Sequence, residues 1–415
     1  MGFFYLYNNS KVFKNLRVNS DKFSFEKVPG TVRQSWKTLL FVLCILFVSS
    51  GSVQCAEPLR CSLFVSLIQD PPIFTSREDI ARLIDFAKKN HVKILFVQVY
   101  RANKAWFPSK IADSRPYKDC LKNISGDPFA LLIAQAHAAK IEVYAWLNVL
   151  SLSANKDARL LEKYGSGILT RNLKDKKVFD DYKIDGQYFL EPGDLRVREE
   201  LSGITEEVLY AYPQLDGIQF DYIRYPDRNP AYGYTKNNVA RFKKTTGNKI
   251  IKEDSRVWKD WKRSQVTEFL ETLVKKTRVI HPDISIAATG CMPYSRAYYE
   301  AFQDWPSWLK NGLVDYVTIM SYSPYPFEFE KWISAAKEKV RDFKKVNIGI
   351  GAYKLVRLPE TFREEFKFCE KAGGNTCVVF HYGSFLENPV LGNILASDNN
   401  PQETPSRIKH LSAIK

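Results

Sequence analysis

From residue 61 onward, short apolar runs alternate with stretches whose apolar positions recur every three or four residues. CSLFVSLI (61–68), VKILFVQVY (92–100), IEVYAWLNV (141–149), LDGIQFDYI (215–223), ISIAATG (284–290), VDYVTIMSY (314–322), VNIGIGAY (346–353) and NTCVVFHYG (375–383) read as eight strands. Helical periodicity fills 76–90, 127–140, 195–212, 257–280, 304–312, 327–343 and 359–374 between them. Strands that are apolar on both faces belong in a parallel sheet covered by helices. Eight strand–helix units in succession predict an α/β fold, a (β/α)8 TIM barrel, with loop insertions after the second, third and fourth strands. The competing doubly wound sheet would want a glycine-rich phosphate turn after the first strand. SLIQDPPIF stands there instead, and no GxxxxGK[ST] occurs, so nucleotide binding has no support. A polar tail follows Asn388, punctuated by PQETP at 401–405, with room for a short eighth helix.

The first 56 residues follow a different pattern. LLFVLCILFV (39–48) is uncharged and apolar, with Arg33 and Lys37 before it and Ser49, Ser50, Gly51 and Ser52 after it. This is the layout of a secretory signal. Ten residues are too few to cross ~30 Å of hydrocarbon as a helix. Cleavage is expected before Ala56. An uncleaved anchor, which would attach the protein to a membrane, and a lipidated Cys55 remain alternatives. The expected organisation is a basic signal or anchor region at 1–56, a barrel domain at 57–390 and a polar tail at 391–415. The protein is expected to be exported to the periplasm, the cell envelope or the medium. Outside the signal lie five cysteines, read as small buried thiols. Export permits a disulfide, and Cys369 and Cys377 are the only close pair.

Charge alters this picture little. The 415 residues carry a formal charge of +15. Residues 1–56 hold seven basic and two acidic side chains, which leaves +10 for the rest. No arginine-rich run interleaved with aromatics, zinc finger or helix-turn-helix pattern accompanies the charge, so a nucleic-acid partner is not expected. Five scattered histidines and no HExxH argue against a metal site. No GxSxG elbow is present, and no cofactor is expected.

Barrel chemistry sits at the C-terminal ends of the strands. In the fourth strand, period two puts Gly217, Gln219 and Asp221 on the inner side and Ile218 and Phe220 under the helices. A carboxylate at the mouth is costly unless hydrogen-bonded. An ion pair to Arg224 is the bland alternative for Asp221. Asp216, of opposite parity, reads as a cap or a surface charge. Other strand ends bring Gln98, Arg101, Trp146, Asn148, Tyr322, Tyr353 and His381 to the same face. Aromatic faces with amides, a guanidinium and a carboxylate suit a polysaccharide ligand. Sugar hydrolysis needs a second carboxyl group. Asp304 is the first candidate, with a helix N-cap as its competing role. Glu191 and then Asp227 are weaker.

The chain resembles glycosyl hydrolase-like family ten. DGIQFDYIRYP is the most specific segment. VQVYRANKAWFPSK, DPFALLIAQAHAAKIEVYAWLN, FLEPGDLRVREEL, VWKDWKRSQVTEFLETL, QDWPSWLKNGLVDYV and NIGIGAYK accompany it over about residues 60–385. The resemblance implies an exported (β/α)8 barrel that cleaves glycans, including peptidoglycan strands stripped of their peptides. It places the family's strand-four aspartate on Asp221, its QDW aspartate on Asp304 and its strand-three asparagine on Asn148. Asn103-Lys104 stand where the family often has Gly-Asp, which would bring an ammonium to the rim in place of a carboxylate. The expected function is that of an exported glycoside hydrolase using a pair of carboxylates. A barrel that binds glycans without cleaving them is the alternative.

Overall fold

The computed structural model describes residues 60–398 except 175, 228 and 229. The expected signal segment and cleavage site lie outside the described residues. No helix among the described residues is long and apolar enough to cross a membrane.

Eight parallel strands close into a barrel. They are β1 (Arg60–Val65), β2 (Val92–Arg101), β3 (Glu142–Asn148), β4 (Gly217–Asp221), β5 (Ser285–Cys291), β6 (Tyr316–Met320), β7 (Val346–Ile350) and β8 (Thr376–Phe380). Each pairs with its neighbour in sequence, and β1 pairs with both β2 and β8, which removes every edge. The covering helices are α1 (Arg77–Lys89), α2 (Pro128–Ala138), α3 (Leu195–Ala211), α4 (Arg256–Ile280), α5 (Trp305–Lys310), α6 (Pro326–Lys337), α7 (Pro359–Ala372) and α8 (Pro389–Asp398). All eight expected strands and seven expected helices are present.

Local chemistry explains the helix starts. Ser76, Asp127, Asp194 and Ser255 each accept a backbone N–H from the first turn of α1, α2, α3 and α4 respectively. Asp127 also accepts the hydroxyls of Tyr117 and Tyr212, both at 2.9 Å, and so fastens the insertion after β2 to the helix layer. α4 buries Trp258, Val266, Phe269, Leu270 and Leu273 along one stripe. Emptying one such aromatic position would cost ~3–5 kcal/mol.

The strand parity read from the sequence holds. Ile218 and Phe220 join the layer between sheet and helices. Phe64, Phe96, Tyr144 and Trp146 fill the barrel interior. Phe64 lies 5.0 Å from Phe96 and 4.8 Å from Trp146, ring to ring. Gly217 faces inward by the same parity, and a Cβ there would meet the Tyr144 ring at 2.3 Å, which only glycine avoids.

The expected boundary at 391 does not match the structure. α8 crosses it, and Leu391, Ile394 and Leu395 are buried in the main core, so the compact domain includes α8. Their spacing is that of a helix packing one face, although the surrounding sequence is polar. Cys369 on α7 and Cys377 on β8 form a disulfide, where buried thiols were expected. Cys61 and Cys291 are buried thiols, as expected. Asp216 accepts the Val143 amide and a ring nitrogen of His137, both at 2.8 Å, and is a structural cap at the foot of β4.

Candidate active site

A hydrogen-bonded chain crosses the tops of the first four strands. Ser66, just past β1, donates to Gln98 on β2 at 2.9 Å. Gln98 donates to Asn148 on β3 at 2.7 Å, and Asn148 donates to Asp221 on β4 at 3.1 Å. The register that sets Asn148 beside Asp221 is that of the parallel β3–β4 pair. Asp221 accepts three more hydrogen bonds, from Trp146 Nε1 at 3.1 Å, the Thr289 hydroxyl at 2.6 Å and the Tyr222 amide at 2.7 Å. All four partners donate, as an acceptor-only ionised carboxylate requires. The last contact depends on Tyr222 adopting a φ of 59°, a left-handed conformation that a bulky side chain occupies at a cost. The alternative role for Asp221, an ion pair to Arg224, is not formed; the carboxylate in ion-pair range of Arg224 is Asp227, at 3.9 Å.

Asp221 lines a cleft of about 640 Å³ at the barrel mouth. The wall opposite the hydrogen-bonded chain is aromatic. Tyr322 stands 6.0 Å from Tyr353 and 5.3 Å from Phe380, and Tyr353 stands 5.7 Å from Phe380. Burial, with the charge of Asp221 nearby, pushes the Tyr322 hydroxyl well above its usual value, so it is a neutral O–H. His381 Nδ1 accepts the Gly383 amide at 3.1 Å, and burial lowers its pKa. Its Nε2 therefore carries the proton and can donate into the cleft.

Two further carboxylates reach the cleft. Asp227 sits between Arg224 and Arg296, at 3.9 and 3.6 Å. Glu328, in the first turn of α6, accepts the Ser323 hydroxyl at 2.7 Å and has no ion-pair partner among the described residues.

The model of glycosyl hydrolase-like family 10 matches residues 67–367. The chain belongs to that family. The glycosyl hydrolase DigH of Escherichia coli (strain K12) is 24% identical over 346 residues, which is 73% of this chain and 75% of that protein. The glycosyl hydrolase YngK of Bacillus subtilis (strain 168) is 20% identical over 309 residues, 67% of this chain and 56% of that protein. Among solved structures, the catalytic domain of β-amylase from Paenibacillus polymyxa aligns with a TM-score of 0.53 at 12% identity, over 83% of this chain and 100% of that one. The endo-β-1,4-mannanase from Thermotoga petrophila aligns with a TM-score of 0.52 at 13% identity, over 84% of this chain and 79% of that one. At such identities the likeness is one of barrel fold. The family assignment makes this chain a barrel of the glycoside hydrolase type.

Most of the residues expected at the family-10 barrel's mouth are there: Gln98, Arg101, Trp146, Asn148, Asp221, Arg224, Tyr322, Tyr353 and His381 all line the cleft. Three expectations need correction. Gln219 has the right parity but lies a layer deeper, fully buried, accepting the Thr318 hydroxyl at 3.3 Å. Asp304 does not line the cleft. It opens α5 and its side chain accepts the Tyr294 hydroxyl at 2.8 Å, with no side-chain cap. The working member of QDW is Gln303. It is buried, accepts the Cys291 amide at 2.7 Å and donates to the carbonyls of Ile223 and Thr289, both at 3.0 Å. It thereby locks the exit of β4 to β5, where Thr289 meets Asp221. Lys104 brings no ammonium to the cleft, which it does not line. Asn103 has a φ of 57°, where glycine or asparagine is at ease, and its buried side chain ties Tyr100 to Leu160.

Ser66, Asp227, Arg296 and Glu328 also line the cleft. Of these, Ser66, Arg296 and Glu328 were not anticipated. They come from loops or helix starts, where no period reveals direction. The one available signal was position, since each follows a strand end within a few residues.

Proposed function

We propose that this protein is an exported glycoside hydrolase that cleaves glycosidic bonds of an envelope or extracellular polysaccharide. One observation carries the reading. A carboxylate held by four donors faces an aromatic wall across a cleft of polysaccharide dimensions, on a barrel of a glycosyl hydrolase-like family. Family resemblance makes peptidoglycan strands stripped of their peptides the first polymer to test. Asp221 supplies the negative charge that stabilises the oxocarbenium-like transition state. Glu328 is the better proton donor of the remaining pair. Asp227 is held between two guanidinium groups, whereas Glu328 meets only a hydroxyl. The disulfide supports export, since such bonds persist in oxidising compartments. The apolar 39–48 segment would direct it, with the N-terminus of the recovered protein expected near Ala56.

A glycan-binding barrel without turnover is the second reading. It draws on the four hydrogen bonds to Asp221, which occupy all its in-plane acceptor positions, so attack by this carboxylate would require one donor to let go. Incubation of the protein with peptide-stripped peptidoglycan and a panel of neutral and acidic polysaccharides, with mass spectrometry of products, decides between them. Hydrolysis predicts shortened chains with new reducing ends. Retained binding with no new ends would favour the second reading.

A further inference from the structure

The exposed aromatic side chains gather on one side of the barrel mouth. Among the described residues they are Tyr210, Tyr299, Tyr325, Phe327 and Tyr353. Tyr210 stands in the last turn of α3, towards the foot of the barrel. The other four follow β5, β6 and β7, across the mouth from the hydrogen-bonded chain that starts on β1. Tyr353 belongs to the wall of the cleft, 6.0 Å from Tyr322. Tyr299, Tyr325 and Phe327 lie outside the cleft and are 62%, 64% and 75% exposed.

The rim that carries these rings is continuous with the cleft. Ser323, Pro324, Glu328 and Trp332 line the cleft, and Tyr325 and Phe327 stand among them in the chain. The short helix Tyr294–Tyr299 packs against α6, and its Arg296 lines the cleft too. Pro324 and Pro326 flank Tyr325 and restrict the backbone that presents it. The Tyr325 amide donates to the Ser323 hydroxyl at 3.1 Å, and that hydroxyl donates to Glu328 at 2.7 Å. Exposed apolar groups beside a binding cleft mark an interaction surface. Here the rings stand singly among polar neighbours, and no large aliphatic side chain is exposed from 291 to 357 to join them into one apolar face. That suits a ligand with apolar faces and polar edges. A pyranose is one: its C–H face packs on the electron-rich face of a ring while its hydroxyls stay in water.

We propose that the aromatic rim over β5 and β6 is a second polysaccharide-binding surface, on which Tyr299, Tyr325 and Phe327 hold the part of the strand that the cleft leaves outside. This rests on the polysaccharide reading above and adds to it a preference for long strands. A cleft of about 640 Å³ encloses a short oligosaccharide. Sugars beyond it would otherwise extend into solvent. Once the cleft is filled, their contact with the rim is intramolecular, so the two surfaces reinforce each other through effective concentration. Tyrosine and phenylalanine have few rotatable bonds, so such platforms lose little entropy when a sugar docks.

The test uses the full chain carrying Asp221→Asn, so that strands survive the titration, with binding measured by calorimetry. Two ladders fractionated by length are compared, peptide-stripped peptidoglycan strands and chitooligosaccharides. In at least one ladder the long fractions should bind ~10-fold or more tightly than the shortest fraction that binds. Tyr325→Ala combined with Phe327→Ala should remove ~5-fold or more of that gain and leave the shortest fraction within ~2-fold. Tyr299→Ala should remove ~2-fold or more, and it decides the matter if the double variant fails to fold. Tyr210→Ala should change neither end of the ladder. Equal binding at all lengths, a gain untouched in the folded variants, or no binding in either ladder would overturn the proposal. So would self-association, or binding to phosphatidylglycerol vesicles, that the double variant abolishes while the length gain persists; the rings would then serve a second copy or a lipid surface. New reducing ends are scored separately on the protein with Asp221 intact. A length gain without cleavage would sink the hydrolase reading and leave this one standing. Cleavage with equal binding at all lengths would do the opposite.

Discussion

Asp221 and Glu191 follow the same local rule and do different work. Both are carboxylates that gather hydroxyl and amide donors. Asp221 has four partners, drawn from β3, β5 and the residue just past β4, and lines the cleft. Glu191 is fully buried, with no path to a ligand. It accepts the hydroxyls of Tyr225 and Thr170, the latter at 3.0 Å, and the Gly193 amide at 3.3 Å. Thr170 in turn accepts the Gly233 amide at 3.1 Å, so Glu191 stitches the insertion after β3 to the insertion after β4. Burial raises the Glu191 pKa against the pull of these hydrogen bonds. Beside this region Lys262 donates to the Pro230 carbonyl at 2.6 Å and lies 3.7 Å over the Phe302 ring, and burial pushes it down to about 7. On the proposed reading, access to the cleft separates the chemical carboxylate from the structural one, and the number of hydrogen bonds does not.

The largest effect that could break this contrast is on turnover. Asp221→Asn should lower the rate at least ~100-fold on every substrate. Its melting temperature should stay near that of the parent or rise, since charges in active sites often oppose stability. Next comes Glu328→Gln. If Glu328 donates the proton, the variant should be slowed ~10–100-fold on substrates with poor leaving groups and little on activated aryl glycosides. Asp304→Asn should treat both substrates like the parent. The reverse pattern would return the acid to Asp304.

Glu191→Ala should act on stability. Leaving the Tyr225 and Thr170 hydroxyls unpaired in the interior should cost about 3 kcal/mol in urea unfolding. The rate per folded molecule should stay within ~3-fold of the parent. A folded variant that loses turnover would erase the distinction between the two carboxylates.

The smallest effect concerns a third buried acid. Glu365 on α7 is buried with both oxygens unpartnered. Burial, reinforced by neighbouring Glu364, pushes its carboxyl from 4.5 up to about 8. The folded state therefore keeps a proton that the unfolded chain releases above pH 4.5. Stability from this group is full below pH 4.5 and declines as pH rises to about 8. Glu365→Gln should flatten that part of the unfolding profile, a difference of at most a few kcal/mol. Identical slopes for parent and variant would show that the group ionises freely in the fold.

The barrel was legible because its strands are long apolar runs and its helices carry a clear period. Gln98, Asn148 and Asp221 were legible for a related reason. Strand parity fixes direction, and a polar residue on the inner side at a strand's end has only the mouth to face. Parity does not fix depth, which is why Gln219 ended one layer below the cleft. Asp304 and Glu191 both precede helices, and nothing in the sequence says whether such a residue turns toward a cleft, a tyrosine or the interior. Glu328 and Arg296 depend on loop paths that no period encodes. The Cys369–Cys377 bond required knowing that α7 packs back on β8 at that level. The eighth helix was expected after Asn388, but its place in the core was not, because three buried apolar residues in a polar stretch are a faint signal until the surface they cover is known.

The central claim is that Asp221 faces the scissile bond, with the aromatic wall on the other side of the cleft. A crystal structure of the Asp221→Asn variant with a bound oligosaccharide tests it most directly. The account predicts an anomeric carbon within ~3–3.5 Å of the residue 221 side chain, with the ring packed toward Tyr322 and Tyr353. A sugar ordered elsewhere on the barrel, with residue 221 still enclosed by its protein partners and touching no ring, would contradict it.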